Sequence, residues 1–100
     1  MIRALFLDVD GTLVSFRTHR IAPSAVAALR EARARGVGVF IATGRAAGDL
    51  EVLRDLPRDG VVALNGACGV LPDGTTVFSR PIPREDFERA LRLSDELDFP

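Results

Sequence analysis

The sequence predicts an α/β fold: a Rossmann-like parallel sheet with helices on both faces, followed by a β-hairpin and the opening of a further α/β unit. Three observations carry this expectation. Short apolar runs without clean alternation recur at residues 2–9, 37–42 and 61–64, as strands buried on both faces require. Segments of helical spacing separate them, which argues for right-handed βαβ units. Each run also ends in polar or glycine residues, where an open parallel sheet binds its ligands.

The first run, "IRALFLDV", is closed by Asp10-Gly11, a turn dipeptide. Ala25, Ala28, Leu29 and Ala32 then fall at helical spacing, with Arg30, Glu31, Arg33 and Arg35 facing away. Pro23 suits a first helical position and Gly36 a helix stop. The second run, "VGVFIA", ends at Thr43-Gly44-Arg45. Residues 46–56, with Ala46, Leu50, Leu53 and Leu56, predict a second helix before Pro57 and Gly60 break the pattern. The third run ends at Asn65-Gly66. "CGVLPDGTTVFS" predicts two short strands around Pro72-Asp73-Gly74. Beyond Pro81 and Pro83, the residues Phe87, Ala90, Leu91 and Ser94 predict a new helix. The expected domains are therefore 1–80, the sheet-bearing core portion, and 81–100, the start of another unit.

Composition narrows the partners. With 47% apolar and 27% charged residues, the chain has the make-up of a soluble globular domain. Thirteen basic and fourteen acidic residues leave a net charge of −1, no electrostatic footprint for nucleic acid or a membrane surface. An anionic substrate must then be held by local groups. The single Cys68 offers no disulfide framework within these residues and no zinc cluster; it reads as a small buried apolar residue and fits a cytoplasmic setting. The short apolar N-terminal segment carries two carboxylates, unlike a signal peptide, and nothing reaches transmembrane length.

The strand ends hold the chemistry. Asp8 and Asp10 lie two apart, so they address one spot if the strand persists that far. Two adjacent carboxylates repel unless a cation neutralises them, and oxygen donors favour a hard ion such as Mg²⁺. The pair suits phosphoryl transfer: one carboxylate attacks phosphorus and the other exchanges protons with the leaving oxygen and with water. Gly11 permits a tight turn and close approach of backbone N–H groups to phosphate. A turn pair would explain Asp10-Gly11 alone, but not Asp8 in an apolar run.

Thr43 fits a helix N-cap and a hydroxyl donor to phosphate equally, with Gly44 letting backbone N–H groups approach. Arg45 is placed against the helix dipole and needs either an anion or a buried partner. Asn65 serves a turn, or lines the substrate pocket or orients Asp8. His19 lies away from the strand ends and reads as a solvated loop residue, although histidine is a frequent acid/base.

"FLDVDGTL" resembles the first signature of the haloacid dehalogenase superfamily of phosphohydrolases, "IATGR" its second, and "ALNGA" the segment before the inserted cap of the Cof-type branch. The opening is similar to bacterial sugar-phosphate phosphatases of that branch. The resemblance implies a three-layer core in which Asp8 is the nucleophile and an Mg²⁺ ligand. Asp10 would be the acid/base, with its backbone carbonyl also on the metal. Thr43 and Gly44 would bind the transferring phosphate, and a cap would begin near Pro81. The expected activity is Mg²⁺-dependent hydrolysis of small phosphorylated metabolites through an aspartyl-phosphate, with a phosphomutase using the same aspartate as the rival.

The family's third-signature lysine and Gly-Asp acidic cluster have no match after Asn65. Residues 1–100 are therefore expected to be an N-terminal portion of a longer enzyme, with the isolated piece a non-catalytic fragment or partial phosphate-binding module. The first strand would then be left as an exposed apolar edge.

Overall fold

A computed structural model describes residues 1–99. Five strands form one sheet in the order β1-β2-β3-β4-β5. The strands are β1 (Ala4–Leu7), β2 (Gly38–Ala42), β3 (Gly60–Ala63), β4 (Cys68–Val70) and β5 (Thr76–Ser79). β1, β2 and β3 run parallel, with Leu5 beside Val39, Leu7 beside Ile41 and Ile41 beside Val61. β4 and β5 are antiparallel additions, so the hairpin predicted around Pro72-Asp73-Gly74 extends the parallel sheet at its far edge. Gly74, at φ 90°, supplies the left-handed residue that this reversal needs.

Helix α1 (Pro23–Ala34) connects β1 to β2, with Pro23 in its first turn. Gly36, at φ 86°, turns the chain after its last residue, as a glycine stop does. Odd-numbered strand residues face α1: Val39 and Ile41 are fully buried against Leu29, with Leu5, Leu7, Val26 and Val61 packed around them. This row, together with Val9, Leu13 and Val14, is the core.

The expected helix over 46–56 is absent. The segment is a series of turns with one 3₁₀ turn, Glu51–Leu53, yet it still delivers Leu50, Leu53 and Leu56 to the core beside α1. Its hydrogen bonds run from Leu53 N–H to the Leu50 carbonyl and from Leu56 N–H to the Leu53 carbonyl. A spacing of three leucines exactly three apart matches the three residues per turn of a 3₁₀ helix better than 3.6, and Gly48 weakens a longer helix. Arg58 closes the segment by donating to the Leu53 and Leu56 carbonyls.

The even-numbered face is different. Phe6 stacks on Phe40 with ring centroids 4.9 Å apart, Phe40 lies over Gly60, and Phe78 lies over Gly69. Phe6 is 62% exposed, so among the described residues the helical cover is on one face of the sheet. β1 is the sheet's edge, as expected for an edge strand with an apolar surface. Helix α2 (Arg84–Leu97) has no buried residue and carries Phe87, Leu91 and Leu97 exposed.

Candidate active site

β1 stops at Leu7, one residue before Asp8. Beyond it the chain winds around one carbonyl: the N–H groups of Thr12, Leu13 and Val14 all donate to Val9 O. Gly11, at φ 80°, makes this possible, and the Phe16 ring covers the side where a Cβ would stand. The expectation that Asp8 and Asp10 project together along a continuing strand is therefore corrected. The tight winding takes Asp10 out of strand geometry and points the two carboxylates at different neighbours.

Asp8 enters an open cleft of about 380 Å³ at the carboxyl ends of β1, β2 and β3. Ala42, Thr43, Gly44, Val62, Asn65 and Gly66 complete its lining. Three of the predicted strand ends thus converge as the topology requires, in a volume suited to a small ligand. The exposed Asp8 carboxylate accepts the Val9 N–H on Oδ1 at 2.9 Å. Thr43 is 5% exposed, and its Oγ1 accepts the Arg45 N–H at 3.1 Å. It caps a turn instead of a helix, because no helix follows.

Asp10 turns to Arg45. Arg45 Nε donates to Oδ2 at 3.0 Å and Nη2 to Oδ1 at 2.7 Å, while Nη1 donates to the Asp49 carbonyl at 3.4 Å. The hydrogen-bonded Arg45 guanidinium holds the Asp10 carboxyl below the usual carboxylate range, and Asp10 raises Arg45 in turn. Of the two sources left open for Arg45, an anion or a partner, the structure supplies a partner, though a half-exposed one.

Asn65 stands at φ 53° between Leu64 at 52° and Gly66 at 98°. Its side chain packs on Gly44, and its N–H donates to the Thr43 carbonyl at 3.0 Å. Gly66, read with Asn65 as a polar strand end, lines the cleft, and Asp49 is a neighbour of Arg45 that the sequence reading passed over. Asp49 carries no local signal. Gly11 lines a separate cavity of about 850 Å³ with Phe16, Arg17 and Arg20, between the 11–21 loop and the start of α1. His19 is exposed in that loop, at φ 55°. Cys68 is half-buried.

Among the described residues no helix is long and apolar enough to cross a membrane, and no three His, Cys, Asp or Glu side chains gather as a metal cluster. Fold and cleft together define an α/β protein with a carboxylate-lined cleft at the carboxyl ends of its parallel strands. Residues 5–100 match the model of the haloacid dehalogenase-like hydrolases, and the chain belongs to that family.

Among solved structures, it is similar to a phosphatase of the haloalkanoate enzyme superfamily from Bacteroides thetaiotaomicron. The two are 48% identical with a TM-score of 0.92, over 98% of this chain and 37% of that one. A subclass IIB sugar phosphatase of the same superfamily is 38% identical with a TM-score of 0.83, over 94% of this chain and 37% of that one. A Streptococcus pyogenes protein named as a bifunctional phosphatase/peptidyl-prolyl cis-trans isomerase is 35% identical over 96% of this chain and 21% of its own length. The chain therefore spans roughly a fifth of that curated relative and 37% of each of those two structures.

Proposed function

We propose that this chain bears the nucleophile and the phosphate-binding loop of an Mg²⁺-dependent phosphatase acting on small phosphorylated metabolites, sugar phosphates among them. One observation carries the reading: the exposed Asp8 carboxylate lies in the same cleft as Thr43, Gly44 and Asn65. The sugar-phosphate class is supported by the neighbour described as a sugar phosphatase.

The donors present fit a magnesium ion that keeps most of its water. Asp8 has an oxygen without a protein partner among the described residues, and the Asp10 carbonyl accepts no backbone hydrogen bond among them. Asp8 and the Asp10 carbonyl would hold the ion, which needs only one or two protein carboxylates beside waters and phosphate oxygens. When bound, it neutralises charge between the carboxylate and the incoming phosphate.

The chain's own residues supply the rest. Asp8 attacks phosphorus and forms an aspartyl-phosphate as the ester oxygen departs. Asp10 protonates that oxygen and later takes a proton from the water that releases phosphate. Arg45 favours the ionised form of Asp10, so this fork has to open for Asp10 to carry the proton it gives to the leaving oxygen. Thr43 and the N–H groups around Gly44 bind the phosphate oxygens. Residues 81–100, with the solvent-facing α2, form the start of a cap over this cleft.

In the full-length protein, phosphate release from a sugar phosphate should require Mg²⁺ and disappear in Asp8→Asn. Release into ¹⁸O-labelled water should place one label in the phosphate, which separates hydrolysis from transfer back to a sugar. Turnover that survives Asp8→Asn overturns the assignment.

A further inference from the structure

The turn after β3 holds three successive residues in the left-handed region: Leu64 (φ 52°), Asn65 (φ 53°) and Gly66 (φ 98°). Glycine and asparagine tolerate this conformation, but leucine does not favour it. Leu64 is also 49% exposed, so packing does not account for its backbone. What does hold the turn is the neighbouring loop. Leu64 N–H donates to the Arg45 carbonyl and Asn65 N–H to the Thr43 carbonyl, each at 3.0 Å. Strain concentrated at a ligand site, and opposed by specific bonds, points to a positional role.

Gly44 gives the second, independent observation. Its φ is not in the left-handed region, so its backbone does not itself demand glycine. A Cβ there would stand 3.1 Å from Asn65 Oδ1 and 3.5 Å from Nδ2. The Asn65 amide occupies the space a larger residue would fill.

We propose that the Leu64–Gly66 turn is a strained clamp on the Thr43–Arg45 loop, and that Asn65 is a positioning residue that sets where the Thr43 hydroxyl and the Gly44 amide stand. The two glycine-containing strand ends are one built unit. Gly44 is small to admit Asn65, and the Leu64 backbone bears the strain that brings Asn65 to Gly44. The geometric part is independent of function; the ligand readout rests on the phosphate reading of this cleft.

Reciprocal substitutions in the full-length protein test it, read by thermal unfolding and by NMR titration with inorganic phosphate in the presence of Mg²⁺. Gly44→Ala alone should lower the melting temperature by about 5 °C, the scale of a modest overpacking in a small domain. Asn65→Gly keeps the left-handed backbone and deletes the amide; it should weaken phosphate binding about tenfold. The double variant should recover most of both losses, because the methyl of Gly44→Ala fills the space that Asn65→Gly vacates. Should Gly44→Ala fail to fold, folding of the double variant is itself the rescue, and failure of both overturns the clamp. Additive losses overturn it too, as does phosphate binding in the double variant as weak as in Asn65→Gly, which would make Asn65 a direct ligand. Stability rescue in a protein that binds no phosphate even unsubstituted supports the clamp and contradicts the phosphate reading.

Discussion

Arg45 grips both carboxylate oxygens of Asp10, at 3.0 and 2.7 Å, across a separation of 35 residues. This fork ties the loop after β1 to the loop after β2, the two strand ends to which we assign the acid/base and the phosphate-binding residues. It also leaves Asp8 as the carboxylate free to face the cleft.

The first expected outcome concerns that fork. The hydrogen bonds from Arg45, opposed by partial desolvation and aided by its charge, hold Asp10 below 3.8. Arg45→Ala removes the stabilisation of the charged form, so the Asp10 carboxyl should titrate upward toward its ordinary value. Arg45→Lys should restore it only in part, because an ammonium cannot make the planar two-bond contact. Carboxyl ¹³C shifts followed against pH measure this directly.

Much of the architecture is legible in the apolar runs, because the face of β1, β2 and β3 that packs on the core leaves little room for polar residues. Their polar ends are legible for the same reason: Asp8, Thr43 and Asn65 each stand just beyond an apolar segment. The 46–56 segment misleads because leucines three apart satisfy helical and 3₁₀ spacing alike over so short a stretch. The divergence of Asp8 and Asp10 is hidden because the winding around the Val9 carbonyl is a hydrogen-bonding event that no two-residue periodicity encodes. Arg45's partner is hidden by distance along the chain, and the Leu64 backbone by its being a residue that rarely adopts that conformation.

Leu53 should prove essential although it sits in an irregular segment. It is fully buried beside Val39 and Ile41 in the core cluster, so Leu53→Ala should cost about 2–5 kcal/mol in urea unfolding. Leu91 of α2, in regular helix but exposed, should cost no more than about 0.5 kcal/mol on the same change. Equal costs would contradict the assignment of the core.

Asp59 ties the opposite end of the sheet. It accepts from Arg33 at 2.8 and 3.2 Å and from the Val39 N–H at 2.8 Å. Chiefly through Arg33, and then through Val39, its carboxyl is held below 3.8. A lowered folded value means that its stabilisation is complete above the unfolded value and is lost as pH falls through the folded one. Stability should therefore decline from about pH 5 downward. Asp59→Ala should flatten that decline and cost about 1 kcal/mol at neutral pH, the net worth of the lost Val39 hydrogen bond. Urea midpoints across pH in both proteins decide it.

The account rests most on Asp8 as the group that becomes phosphorylated. The full-length protein, quenched during turnover of a phosphate monoester with Mg²⁺ and reduced with borohydride, converts any aspartyl-phosphate to a homoserine that peptide mass mapping locates. The modification is expected at Asp8 in the peptide containing "FLDVDGTL", and is expected to vanish in Asp8→Asn. A modified residue elsewhere, or turnover by Asp8→Asn with no modification at all, would contradict it.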